Sequence, residues 1–362
     1  MPTLQDAHLR HARHYLKVVL RADALYKQGG PSIKCALDIF DRERRNVDIA
    51  QQWTSTCANY NDEAAILCSD YANVSVLFLN LRMPPSERAK WYKAAIFASQ
   101  RLNDREAEGW HTGNLGRTYR DVGKARLALD CFRQVLTISR EVGDRRSEAM
   151  SLSNMGSGHC DLNEPLVAVK LLEEALLIIR EIGDREEEGG ILGKLGTANS
   201  LLRRYDLAID FYQQQLAISH QSGALRSEAE ARVNIGVIHW QHWRFDVGLR
   251  EYDAAFKLYD ELGDSHGMTA TLNNIGLIFL NLRDYDKALQ AFDEQLTMCR
   301  TIEDIRGEGK ALFNKALTLN DIGHRRQAQS LAEAALRIFE QLGAVETESV
   351  KATLANWNDK SS

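Results

Sequence analysis

Hydrophobic and small residues recur along most of the chain with a period of 40 residues, which predicts pairs of amphipathic helices. The first helix of each pair carries a Leu-Gly or similar dipeptide. A small residue follows the glycine after twelve positions, in the second helix, and a large residue comes four positions later. The three columns contain Gly116, Gly156, Gly196, Gly236, Gly276 and Ala316; Ala128, Ala168, Ala208, Gly248, Ala288 and Ala328; and Phe132, Leu172, Tyr212, Tyr252 and Phe292.

A second set of columns marks where one helical pair ends and the next begins. Gly143-Asp144, Gly183-Asp184 and Gly263-Asp264 lie in the same register, joined by Asp104 and Asp304. Glycine adopts the left-handed conformation that ends a helix, and aspartate caps the N-terminus of the next one. For the second pair, this predicts helix A over Arg145–Asp161 and helix B over Pro165–Ile182, because proline fits the first turn of a helix.

The small columns also predict how the helices pack. Glycine inside a helix costs up to about 1 kcal/mol relative to alanine, so its recurrence at fixed positions indicates helices that approach closely. One pair cannot bury its apolar face alone, but stacked pairs form a continuous core. Only 5 prolines occur in 362 residues, which favours uninterrupted helices. We therefore expect an all-α fold.

Outside residues 104–343 the period weakens or disappears. Residues 62–103 resemble a degenerate repeat with helix A over Asp62–Leu81 and a turn at Met83–Ser86, in which Ser86 is expected to cap helix B. Residues 1–61 do not repeat. Their pattern predicts an N-terminal helical hairpin, Leu4–Lys27 and Ile33–Thr56, split by Gly29-Gly30-Pro31. Residues 344–362 are expected to form a C-terminal capping helix and a polar tail.

The repeated columns resemble those of the tetratricopeptide repeat (TPR) family in its longer form of about 40 residues. The resemblance covers six units, residues 104–343, and implies a right-handed α-solenoid. The spelling Asn114-Leu115-Gly116 is most similar to the peptide-binding repeats of kinesin light chains and of Leu-Gly-Asn-rich spindle adaptors. The resemblance implies that helix A of each repeat faces a concave groove that holds a peptide or protein.

A shorter segment resembles another family. Residues 40–47, read with Gln51-Gln52-Trp53, are similar to a segment of bacterial STAND signalling ATPases that lies between the nucleotide-binding region and the C-terminal repeats. This implies that the chain is the sensor half of such a system, with an ATPase module in cis or in trans as its partner. The glycines near Lys194 and Lys310 do not match a phosphate-binding loop.

An asparagine column is the first candidate binding site. It precedes the Leu-Gly pair and is broken only by lysine, so that it contains Asn114, Asn154, Lys194, Asn234, Asn274 and Asn314. An amide both donates and accepts hydrogen bonds, which suits the backbone of an extended peptide. The alternative is that each asparagine bonds to a neighbouring helix and only holds the repeats together. Lys194 is expected to meet a carboxylate.

Other positions implied to face the groove vary between repeats, as specificity positions do. Trp and Arg are common anchors of protein interfaces, whereas a solvated helix face is the competing interpretation for each position. These candidates are Trp110, Arg117, Arg120, Asp121, Trp240, Gln241 and Asn281, with Lys310 and Asp321 in the last repeat.

No catalytic or metal site follows from the spacing of reactive residues. His239 and His242 share a helix face but lack a third ligand, and His8, His11 and His14 drift around theirs. The six cysteines contain no Cys-x-x-Cys pair, and the carboxylates gather at helix starts, where capping explains them. We therefore expect no enzyme activity, no metal and no cofactor.

Composition and charge restrict the classes of partner that the protein is expected to bind. The net charge of −5 gives no basic excess for nucleic acid, and no apolar run is long enough for a membrane span or a signal peptide, so a cytoplasmic protein is expected. The sequence thus predicts a non-enzymatic scaffold that binds a protein or peptide, as the ligand-sensing or partner-recruiting part of a bacterial signalling system. The alternative is an intracellular peptide-pheromone receptor.

Overall fold

The computed structural model describes residues 3–28, 31–74 and 76–359, and every regular element in these ranges is a helix. The chain divides into two compact units, Met1–Asp184 and Arg185–Ser362. None of the described helices is both long and apolar enough to cross a membrane. The all-α prediction is confirmed.

The first unit contains nine helices among its described residues. Their bounds are α1 (Leu4–Lys27), α2 (Pro31–Cys57), α3 (Asp62–Val74), α4 (Val76–Arg82), α5 (Pro85–Arg101), α6 (Arg105–Asp121), α7 (Ala125–Val142), α8 (Arg145–Asp161) and α9 (Pro165–Ile182). The pairs α6–α7 and α8–α9 are the first two repeats, and both bounds predicted for the second repeat are correct. The predicted break at Gly29-Gly30 lies outside the described residues.

The second unit contains the other four repeats and a final helix. Its described helices are α10 (Arg185–Leu201), α11 (Tyr205–Ser222), α12 (Leu225–Gln241), α13 (Phe245–Glu261), α14 (Ser265–Asn281), α15 (Tyr285–Thr301), α16 (Ile305–Asp321), α17 (Arg325–Leu342) and α18 (Glu346–Asp359). Within each unit, a helix A packs against its own helix B, and that helix B packs against helix A of the next repeat. The division into four sequence regions stays a prediction.

The helix ends follow the predicted chemistry. Gly143 and Gly183 adopt the left-handed conformation, with φ of 75° and 80°, at the ends of α7 and α9. Asp104 accepts a hydrogen bond from the amide of Ala107 at 2.9 Å, and Asp144 does the same for Ser147 at 3.0 Å. One predicted cap is wrong. Pro84 is the N-cap of α5 and no side chain caps that helix, because the helix already starts at Pro85, before Ser86.

The cap at α6 gives a stability prediction. Asp104→Ala removes the acceptor for an amide that has no partner within the helix, so we expect the free energy of unfolding to fall by about 1 kcal/mol. Lys124→Ala is the matched control, because Lys124 is the N-cap of α7 without a side-chain cap bond and its loss should change little. Urea unfolding of both variants measures the difference. Equal stabilities would show that Asp104 does not cap α6.

The small and large columns meet inside the repeats. A Cβ added at Gly116 would lie 2.7 Å from the Phe132 ring, and one added at Gly156 would lie 2.6 Å from the Leu172 side chain. Because the glycines have no side chain, the buried large residues of helix B press directly on helix A. This packing holds each hairpin rigid and fixes which positions of helix A stay accessible.

The N-terminal helices of the first unit form an aromatic core. Phe40 and Phe78 stack with their ring centroids 4.7 Å apart, and the buried Tyr71 hydroxyl donates to the carbonyl of Ala12 at 2.7 Å. The region predicted as one helix over Asp62–Leu81 consists of α3 and α4 on either side of residue 75, which lies outside the described residues.

Candidate clefts between successive A helices

The same cleft recurs where the A helices of two successive repeats flank one B helix. Cleft 1 lies among α6, α7 and α8, cleft 2 among α10, α11 and α12, and cleft 3 among α14, α15 and α16, with cavity volumes of about 460, 640 and 300 Å³. Seven columns line all three. Their members are Glu106, Glu186 and His266; Trp110, Gly190 and Ala270; Gly113, Gly193 and Asn273; Val135, Gln215 and Gln295; Asp144, Ala224 and Asp304; Ser147, Ser227 and Gly307; and Met150, Glu230 and Lys310.

Since the scaffold is the same in each cleft, the side chains alone change its chemistry. Cleft 1 is apolar on its helix B side, where Val135 and Ile138 lie, and the half-exposed Trp110 forms part of its rim. Cleft 2 has Gln215 at the equivalent of Val135 and an open position at Gly190, the equivalent of Trp110. A set of equivalent clefts with different linings suits the recognition of successive parts of an extended ligand.

The asparagine column lies beside these clefts, but its members are not equivalent. Asn154 lines cleft 1, Asn234 and Lys194 line cleft 2, and Asn274 lines cleft 3; all four are half-buried and keep solvent contact. Asn114 is only 4% exposed, and its Oδ1 accepts from the Arg117 guanidinium at 2.5 Å. Asn114 is therefore the member of the column least able to reach a ligand.

One member of the asparagine column bonds to a neighbouring helix, as the alternative interpretation of this column expects. Asn314 donates through Nδ2 to Oδ1 of Asn273 at 2.8 Å, and Asn273 is within 3.5 Å of Asn274 Oδ1. The first of these bonds joins α16 to α14, and the second lies within α14. Ligand contact by the asparagine column thus stays a prediction, with Asn154 and Asn234 as the members best placed for it.

The other predicted contacts of the first repeat already interact with each other or with neighbouring helices. The guanidinium of Arg117 lies over the Trp110 ring, 5.9 Å from its centroid. Arg120 lies 3.8 Å from an Asp161 carboxylate oxygen, and Asp121 accepts from Arg88 at 3.3 Å. Trp110 and Arg117 line cleft 1, whereas Arg120 and Asp121 are at the C-terminal end of α6 and do not.

The predicted contacts of the later repeats lie near the C-terminal ends of their helices. Trp240 is half-buried against the apolar core of the second unit, next to the exposed Gln241 at the end of α12. Asn281 is the last residue of α14, and its Nδ2 donates to the carbonyl of Leu277 in its own helix at 2.7 Å. None of these three residues lines clefts 1 to 3.

One histidine that borders cleft 1 was not predicted as a functional residue. His111 is 1% exposed, and its Nε2 lies 2.8 Å from the Ser69 hydroxyl, while its Nδ1 has no hydrogen-bond partner among the described residues. Burial lowers the pKa of His111 to about 4. A serine–histidine pair suggests nucleophilic catalysis, but that chemistry also needs a group that orients the second nitrogen.

Four of the five histidines considered for metal binding, all except His239, lie against aromatic rings. His8 stacks on Trp53 with ring centroids 5.4 Å apart, and His242 meets Tyr205 edge-on at 4.5 Å. Within the described ranges, no group of three histidine, cysteine or acidic side chains is arranged to hold a metal ion.

Two buried glutamines are the residues that sequence reasoning missed. Gln215 and Gln295 are 4% and 2% exposed, occupy the same position of helix B two repeats apart, and line clefts 2 and 3. The Oε1 atom of each has no hydrogen-bond partner in the described part of the chain. The sequence did contain a signal for these two glutamines, because the other members of their column are apolar: Val135, Ala175, Ala255 and Ala335.

Comparison with known families agrees with this architecture. Two family models, both described as tetratricopeptide repeat, match residues 112–146 and residues 147–221 and 267–341, which together make up just over half of the chain. No curated protein sequence matches the chain significantly.

Many solved structures, in contrast, have a fold similar to that of this chain. One is a STAND signal transduction ATPase with a tetratricopeptide repeat sensor from Pyrococcus horikoshii, which is 17% identical to this chain with a TM-score of 0.61. The match covers 96% of this chain and 54% of the ATPase, so this chain spans about half the length of that protein. A Rap protein complexed with competence and sporulation factor is 13% identical with a TM-score of 0.60, covering 95% and 98%. The receptor NprR with its cognate peptide NprX is 15% identical with a TM-score of 0.51, covering 80% and 81%.

Proposed function

This chain belongs to the tetratricopeptide repeat family, and we propose that it is a non-catalytic recognition protein that binds a peptide or protein segment in the clefts between its A helices. One observation carries the proposal. Clefts 1, 2 and 3 are built from the same seven columns, yet every one of those columns changes its residue between clefts, for example from Trp110 to Gly190 and from Val135 to Gln215. A constant scaffold with variable linings suits recognition of a sequence, whereas a catalytic site needs one fixed constellation.

The members of the asparagine column support an extended ligand. Asn154 and Asn234 line their clefts, are half-buried and are not used in the asparagine bonds between α14 and α16. A carboxamide at the edge of a cleft can donate to a peptide carbonyl and accept from a peptide amide at once.

Peptide selection tests this proposal directly. A randomised peptide library displayed on phage is panned on the full chain, and the affinities of enriched peptides are measured by fluorescence anisotropy. Asn234→Ala should weaken binding roughly threefold to tenfold, because it removes one or two hydrogen bonds to the ligand. Asn281→Ala is the matched control, since Asn281 bonds to its own helix outside the clefts and should leave the affinity unchanged.

The opposite pattern would contradict the proposal. If the enriched peptides bind Asn154→Ala, Asn234→Ala and Asn274→Ala chains as tightly as the original chain, the clefts are not the binding site. Circular dichroism of each variant confirms that the helices are intact.

Within this function we favour a sensor or partner-recruiting role in a bacterial signalling system, with an ATPase module as the partner. The fold match to the STAND protein, over 96% of this chain, supports it. The fold matches to the Rap protein, solved with competence and sporulation factor, and to NprR, solved with its cognate peptide, support the alternative of an intracellular peptide-pheromone receptor. Affinity purification from the native host separates the two, because the first yields a nucleotide-binding protein and the second a short peptide.

A further inference from the structure

Cleft 2 contains a buried amide whose oxygen lacks a partner. Gln215 donates through Nε2 to the carbonyl and the hydroxyl of Ser227 at 3.3 and 3.1 Å, which fixes the amide, while Oε1 makes no hydrogen bond with the described residues. A buried acceptor without a donor costs about 1–3 kcal/mol of stability. Val135 fills the same position in cleft 1 without this cost.

The opposite helix leaves room for this amide. A Cβ at Gly193 would lie 2.5 Å from Gln215 Oε1 and 2.9 Å from its Cδ, so any larger residue at position 193 would displace the side chain. Glycine in the middle of α10 is itself unfavourable by roughly 1 kcal/mol relative to alanine. Two locally unfavourable residues, Gly193 and Gln215, therefore meet at the same point of cleft 2.

Carboxylates without partners line the same cleft. Neither Glu186 nor Glu230 has a basic nitrogen within 4.0 Å among the residues that the structure describes, and both line cleft 2. The cations nearby are already engaged: Arg226 pairs with Asp264 at 2.5 Å, and Lys194 has its own partner. Glu230 is exposed at the edge of the cleft, but the protein atoms around its carboxyl group reduce the hydration of that group and raise its pKa. Cleft 2 thus offers an unpartnered acceptor and two carboxylates without an ion pair, while the two cations that line it, Lys194 and Arg226, already have partners.

We propose that cleft 2 binds a basic side chain, lysine or arginine, of the ligand, which donates to Gln215 Oε1 while Glu186 and Glu230 balance its charge. This inference rests on the proposed function, because it assigns a side-chain class to one of the proposed clefts. The cavity of about 640 Å³ is large enough for an extended basic side chain. An ammonium or guanidinium group supplies several N–H donors at once, so it satisfies the amide oxygen and a carboxylate together.

The test uses the same displayed peptide library on the full chain and two near-isosteric variants, Gln215→Met and Glu230→Gln. Peptides enriched on the original chain should share lysine or arginine at one fixed position, and peptides enriched on either variant should lose that preference. Replacing the basic residue of one enriched peptide by norleucine should weaken binding roughly tenfold or more to the original chain, and little to Gln215→Met. Glu261→Gln, an exposed carboxylate of α13 outside cleft 2, is the control and should keep the preference.

A second measurement does not depend on peptide ranking. The pKa of Glu230, followed by NMR of its labelled side-chain carboxyl carbon, should fall when an enriched peptide binds, since a nearby cation favours the charged carboxylate.

The outcomes separate this inference from the proposed function. If enriched peptides need Asn234 but carry no preferred basic residue, or if Gln215→Met and Glu230→Gln keep that preference, the basic subsite is wrong and peptide binding stands. If no enriched peptide depends on Asn154, Asn234 or Asn274, the proposed function fails and the subsite fails with it.

Discussion

Gly236→Ala is expected to lower the free energy of unfolding by roughly 2 kcal/mol, although alanine is the better helix former. A Cβ at this position would lie 2.6 Å from Cε1 of Tyr252 and 2.9 Å from its Cδ1. Tyr252 is 1% exposed and belongs to the apolar core of the second unit, so its ring has no open space to enter. Urea denaturation followed by circular dichroism measures the effect.

Gly190→Ala is the matched control for this substitution. Gly190 also lies inside a helix A of the second unit, but a Cβ there would meet no atom within 4 Å. The same change should therefore raise the free energy of unfolding by about 0.5–1 kcal/mol, the usual gain from alanine in a helix. Opposite signs at Gly236 and Gly190 would show that contact with Tyr252, and not helix propensity, decides the outcome.

A double variant tests the mechanism further. If the added Cβ acts by pressing on the Tyr252 ring, then Gly236→Ala should cost much less in a Tyr252→Ala background, and the two effects will not add. Additive losses would instead place the cause elsewhere in the repeat. Because repeat proteins can unfold in stages, the comparison is made on the transition that both single variants shift.

The period of the sequence predicted the parts of the fold that depend on local chemistry and on close packing. The bounds of α8 and α9 follow from Gly143-Asp144 and Gly183, where a left-handed residue ends one helix and a carboxylate caps the next. The contact between the glycine and large-residue columns also follows from the pattern. Both features need only the spacing of residues along one helical hairpin.

The linings of the clefts were only partly predictable from the same pattern. Asn154, Asn234 and Asn274 line the clefts. Whether an asparagine of this column meets a ligand or a neighbouring helix depends on the residue opposite, as the bond from Asn314 to Asn273 shows. The bond between His111 and Ser69 joins residues 42 positions apart, from the degenerate repeat and the first full repeat. The 40-residue period of the sequence cannot predict this bond, because the degenerate repeat does not share the residue columns of the other repeats.

Gln215 is a second residue whose role could not be predicted from the sequence pattern alone. A polar residue in an apolar column of helix B was visible in the sequence, but that column faces the cleft only because two A helices flank helix B. Its unpartnered oxygen depends on Gly193 and Ser227, which come from two different A helices. The proposed recognition therefore depends on residues that depart from the packing pattern, such as Gln215, and not on the pattern itself.

Acidification from pH 6.5 to pH 4 is expected to destabilise the first unit by up to about 3 kcal/mol through His111 alone. Burial lowers the pKa of His111 from its usual 6.5 to about 4, so the folded state binds fewer protons than the unfolded state in this range. Stability from the neutral imidazole is then fully present above pH 6.5 and is lost as the pH falls toward 4.

Carboxylates also titrate in this range, so the contribution of His111 must be isolated by a variant. The difference in the free energy of unfolding between the original chain and His111→Gln should change with pH between 6.5 and 4, because glutamine keeps a polar contact with Ser69 but does not titrate. NMR titration of the imidazole gives the pKa directly. A pKa near 6.5 for His111 would mean that its ring is hydrated in the folded chain. Its bond to Ser69 would then be an exposed contact and not part of the core between α3 and α6.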